Sequence, residues 1–149
     1  MYTDINIRPL IVALISSFLV MFAISYAWHG VLLNDFYKLY LHTSPSLSKP
    51  VFYIILTSWY LLISAGMTML IYLLREINTN PILKGVLLGA VVGFVLQLIF
   101  YSAGLTFYHN PSTHQIMVDM IWQIAEQSTG GWIIARFFYP ANQGSGALA

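Results

Sequence analysis

Glu126 is the residue best placed to do chemistry in this sequence. It interrupts an otherwise uncharged run between Asp119 and Arg136, ten residues after Ile116 and eleven before Phe137. Asp119, Gln123, Glu126, Gln127 and Gly130 recur at +4, +7, +8 and +11, so on a helix they share one face. A charged group in the middle of a membrane costs at least about 2.5–3.5 kcal/mol on insertion scales. A carboxylate there must therefore face a bundle interior, a cavity or a partner, or keep its proton. Two readings stay open. Glu126 is a proton or ligand site, or it is a neutral hydrogen-bonded group that sets helix register. Its expected partners are Gln97 and Tyr101 on a neighbouring span, and Thr57, Ser58, Ser64 and Thr68 on another.

Histidine offers a second chemistry. His29, His42, His109 and His114 all map to one end of the spans, together with Asp35 and Asp119. Imidazole plus carboxylate suits zinc, copper, iron or nickel. The spacing argues against a preformed site: His114 and Asp119 are i, i+5, about 140° apart on a 3.6-residue helix. Axial haem ligation needs inward-facing histidines at matching depth on two helices, and His29 alone comes close. No cofactor is therefore expected. If a metal binds, His29, His114, His109, His42 and Asp35 are the residues to hold it.

The elements that position these groups are written in the charge distribution. Hydrophobic residues make up 58% of the 149 residues and charged residues 7%, where soluble domains carry about 25% charged residues. Eleven charges cannot cover a soluble globule of this size, and a disordered chain would be polar and charged. Net charge is +1, and no basic patch suits nucleic acid. Cysteine is absent, which removes disulfides, thiol redox catalysis and Cys-ligated metals. Charge-free gaps of 26, 25 and 34 residues follow Arg8, Lys49 and Lys84. Since about 20 apolar residues cross a bilayer core, four spans are expected: Leu10–Trp28, Phe52–Leu74, Ile82–Ser102 and Ile116–Phe137. In lipid, spans of this length must be helical. The first is too long for a secretory h-region and ends in Trp28-His29-Gly30, so it is expected to be retained.

The expected fold is all-α, a four-transmembrane-helix bundle over residues 1–140 with a short tail at 141–149. Arg8, Arg75, Lys84 and Arg136 fall on one side and Lys38 and Lys49 on the other, which places both termini in the cytoplasm. Between the first two spans, Leu33, Phe36, Tyr37, Tyr40 and Leu41 recur with helical spacing, opposite Asn34, Asp35, Lys38 and His42. This is an outer interfacial amphipathic segment. Aromatic belts bracket the spans, with Tyr26, Trp28, Phe52, Tyr53, Tyr101 and Tyr108 at one level and Tyr72, Trp132, Phe138 and Tyr139 at the other. Asn78, Asn80 and Pro81 mark a helix stop and restart. Gly85, Gly89 and Gly93 are four residues apart, so another helix can approach their backbone closely. They suit packing against the second or fourth span, homo-oligomerisation or a partner subunit.

The stretch Tyr26–Tyr37 (YAWHGVLLNDFY), the third span's Lys84–Ala90 (KGVLLGA), and Val118–Trp122 (VDMIW) with Gly130-Gly131 resemble small four-helix bacterial inner-membrane proteins of unknown function. The resemblance covers about Ile11–Phe137, mostly as spacing. His29 and Glu126-Gln127 depart from that pattern. The resemblance implies fold and an inner-membrane location, and it transfers no mechanism.

Lipase-type elbows, zincin motifs, phosphate loops and dinucleotide fingerprints are missing from the sequence. The first expectation is thus a non-enzymatic subunit or assembly factor of a larger membrane complex, or a homo-oligomer, with the lipid bilayer as its other partner. A small oligomeric transporter or proton-coupled channel using Glu126 competes with it. So does a membrane redox or metal protein using the outer His/Asp cluster.

Overall fold

The computed structural model describes residues 7–32, 49–74, 76, 80–103 and 112–138. Among them the regular structure is entirely helical. Helix α1 spans Ile7–Ser25 and continues without a break as a π-helical stretch, Tyr26–Leu32. Helices α2 (Lys49–Leu73), α3 (Pro81–Ser102) and α4 (Thr113–Phe138) follow. The amphipathic segment, the tail, Asp35, His42 and His109 lie outside the described residues.

Three of the four helices are long and apolar enough to cross a membrane: Ile7–His29, Tyr53–Leu73 and Pro81–Ser102. The fourth expected span, α4, is not among those three. At 26 residues α4 is the longest of the four, but Asp119, Gln123, Glu126 and Gln127 interrupt its apolar run.

Packing explains how α4 carries those groups. It touches each of the other three helices, and its contact with α3 is the most extensive in the molecule. Helices α1 and α2 also pack together, whereas α1 and α3 stand on opposite sides of the α2–α4 diagonal. The most polar helix thus has the most protein around it. The apolar side chains Leu19, Leu62, Leu87, Val91 and Ile99 of the other three point outward and are exposed.

The α3–α4 seam depends on glycine. A Cβ at Gly85, Gly89 or Gly93 would run into the α4 backbone at Gly131, Gln127 and Gln123 respectively. These pairs step by four residues in opposite directions, which fixes an antiparallel register. The α1–α4 seam is similar, with Gly130 giving room to the Met21 side chain. On the α1–α2 seam the hydroxyls of Ser17 and Ser64 are 2.5 Å apart, and both lie within hydrogen-bond distance of the Leu14 carbonyl oxygen. Met21, Tyr60, Ile63, Met67, Ile71 and Ile134 fill the centre.

Local signals set the helix ends. Asn80 Oδ1 accepts from the Ile82 and Leu83 amides, and Pro81 occupies the first turn, where its missing N–H costs nothing. Ser112 and Gln115 form a reciprocal capping box, a Ser-x-x-Gln signal. That box starts α4 at Thr113 rather than at the expected Ile116. At the end of α2, the Lys84 ammonium donates to the Leu74 carbonyl at 2.9 Å, placing a cation where the helix dipole is negative.

Candidate functional site

Glu126 is 1% exposed. Its own helix supplies two donors: Trp122 Nε1 donates to Oε2 and Gln127 Nε2 to Oε1, both at 3.2 Å. The other two helices of this seam supply hydroxyls. Tyr60 of α2 donates its one hydroxyl proton to Ser25 Oγ of α1 at 2.5 Å, and both side chains lie beside the carboxyl. One carboxyl group therefore ties α1, α2 and α4 together. Burying such a group without partners would cost several kcal/mol, and the Trp122 and Gln127 donors, with the Ser25 hydroxyl beside them, offset that cost.

Aromatic rings close the site. Trp122 stacks face to face on Trp28, with centroids 4.0 Å apart and planes 6° from parallel. Phe22 meets Tyr60 edge-on at 5.9 Å. Trp28 belongs to the π-helical stretch, so this stack joins that stretch to α4.

The expected partners are corrected here. Gln97 is buried, but it does not reach Glu126. The α3–α4 register, continued by one step, sets Gln97 opposite Asp119, about 10 Å further along the helix axis. Tyr101 is exposed. Ser64 is engaged with Ser17, Thr57 is half-buried and Ser58 exposed. Thr68 is buried, and its hydroxyl has no hydrogen-bond partner among the described residues. Gln123 is half-buried and meets Gly93 through its backbone oxygen. Asp119 is half-buried. Gln127 is fully buried beside Glu126, and its own Oε1 has no hydrogen-bond partner among the described residues.

Ser25, Tyr60, Trp28 and Trp122 were absent from the expected site. A signal for two of them exists in the chain. Ala13, Ser17, Met21 and Ser25 recur every four residues on α1, and all are buried; Tyr60, Ser64 and Thr68 do the same on α2. Small and hydroxyl residues at this spacing mark helix-facing stripes in a membrane.

Of the metal candidates, His29 is half-buried in the π-helical stretch and His114 is exposed on the first turn of α4. Among the described residues no group of three His, Asp or Glu side chains is arranged to hold a metal ion.

Fold and site together define a class: among the described residues, three membrane-capable helices pack with a more polar fourth, and one buried carboxyl meets side chains of three helices. No family model matches the chain, and no curated protein or solved structure matches it either.

Proposed function

We propose that this chain is a four-span integral membrane protein of a bacterial inner membrane, with both termini in the cytoplasm. In this reading it acts as a non-enzymatic subunit or accessory factor of a larger membrane assembly. One observation carries the proposal. Glu126, the deep charge of α4, is buried and engaged with the chain's own side chains, while large apolar side chains of α1, α2 and α3 face outward. Such a molecule has an inward-looking polar interior and an apolar exterior suited to lipid and to other spans. The four-to-two bias of Lys and Arg supports the orientation, and the resemblance to small four-helix inner-membrane proteins supports the location.

Gentle detergent extraction of the native protein followed by mass spectrometry is the test. Stoichiometric co-purification with a larger complex is expected. A clean homo-oligomer with nothing else bound would overturn the accessory reading.

A second reading, proton-coupled transport, is favoured by the buried carboxyl and its two hydroxyl neighbours, Ser25 and Tyr60. It requires a pH-dependent flux in reconstituted vesicles that Glu126→Gln abolishes while the fold persists. Unchanged flux would remove it.

A further inference from the structure

The Glu126 site has two properties that a purely structural crosslink does not need. The first is a spare acceptor. Gln127 donates its amide N–H to Glu126 Oε1 and leaves its own Oε1 without a partner among the described residues, although the residue is fully buried. An ionised carboxylate only accepts hydrogen bonds, whereas a protonated one must also donate. Turning the Gln127 amide by half a revolution brings its oxygen toward Glu126. Gln127 thus donates to the ionised carboxylate or accepts from the protonated one, and the exchange needs no added space. A proton is the one ligand that a carboxyl this enclosed takes up without rearranging the bundle.

The second property is position. Ser25 is the last α-helical residue of α1, and the π-helical stretch begins at Tyr26. Trp28, inside that stretch, stacks on Trp122, which donates to Glu126. The carboxyl thus meets the stretch through the Trp122–Trp28 stack, and meets the residue just before it, Ser25. π-helical turns are rare, occur mostly as single turns inside α-helices, and are frequent at functional sites. A seven-residue stretch held at one end by Ser25 and in its middle by Trp28 has an α-helical alternative close at hand.

We propose that Glu126 is an exchangeable proton site, with Gln127 as its two-way hydrogen-bond partner, and that its charge state sets the register of the π-helical end of α1 through Ser25 and Trp122. The inference shares Glu126 with the transport reading but requires no net flux, so each can fail alone. The groups facing the carboxyl are Ser25 from α1, Tyr60 from α2, and Trp122 and Gln127 from α4. His29 lies one turn beyond Ser25, and Asp119 two turns from Glu126 along α4. Helix α3 brings Gly89 and Gly93 to this level and no titratable group.

The experiment is an infrared pH titration of the full chain in bilayers, paired with hydrogen exchange of the Tyr26–Leu32 amides referenced to those of Ile7–Ser25. The expected result is a protonated-carboxyl band that grows on acidification, survives Asp119→Asn and is lost in Glu126→Gln. Exchange in Tyr26–Leu32 should change with the same midpoint. Gln127→Leu should move that midpoint, and Ser25→Ala should keep the band while weakening the exchange change. These two variants retain the carboxyl, so they decide the matter if Glu126→Gln fails to fold. A carboxyl band that is absent or constant across the pH range overturns the proton site. A titrating band with no change in Tyr26–Leu32 overturns the coupling, as does an exchange change that persists unaltered in Glu126→Gln and so belongs to His29 or another group.

Discussion

At the scale of single residues, space and hydrogen bonding decide which positions tolerate change. Gly89 and Gly66 are both glycines within helices, yet a Cβ at Gly89 meets the Gln127 backbone and one at Gly66 meets nothing within 4 Å. Gly89→Ala should therefore destabilise by about 1–3 kcal/mol through overpacking. Gly66→Ala should be neutral or stabilising by about 0.5–1 kcal/mol, from the helix propensity gained. Unfolding titrations in mixed detergent micelles check the pair, and equal effects would contradict the close α3–α4 approach. Ser64→Ala removes a hydroxyl that bridges α1 and α2. Interhelical bonds of this kind average about 0.6 kcal/mol in membranes, and a loss near that value is expected in the same assay. The buried carboxyl itself was legible in the sequence as the one deep charge. Its partners were not, because spacing gives the face of a helix but not the identity of the neighbour across from it.

The helices show the same division. Their existence followed from charge-free runs of membrane length. Their ends followed where a cap was read: Asn80 and Pro81 set the start of α3 within one residue of the expected Ile82. The Ser112–Gln115 box starts α4 three residues before the expected Ile116. Both caps should matter measurably. Asn80→Ala and Ser112→Ala each remove a side-chain acceptor from an exposed helix start, and a loss of about 1 kcal/mol is expected for each. Hydrogen exchange confined to the first turns of α3 and α4 reads this out, and unaltered protection there would show that packing alone holds those ends. The π-helical extension of α1, which holds Tyr26, Trp28, His29 and Gly30, carries no comparable cap signal.

For the whole molecule, the arrangement predicts sidedness. Helices α3 and α4 run antiparallel, so Ser102 and Ser112 lie at one end of the bundle and Asn80 at the other. The chain contains no cysteine, so single cysteines can be introduced with no competing thiol. Ser102→Cys and Ser112→Cys should react with a membrane-impermeant thiol reagent from outside the cell. Asn80→Cys should react only after permeabilisation. Labelling of all three from the same side would contradict the proposed topology.

The sequence by itself determined that the chain is helical, rich in membrane-length segments and charged at one deep position, because composition and spacing act locally along the chain. It also marked Gly85, Gly89 and Gly93 as a surface for close approach, since the absence of a side chain is visible in any context. The tertiary structure alone decided that α4 receives those glycines and that α3 offers Glu126 no polar partner. It decided as well that Ser25, Tyr60 and Trp122 surround the carboxyl. These outcomes depend on which helices become neighbours and in what register. That choice is made by packing complementarity between distant segments, and no single segment encodes it.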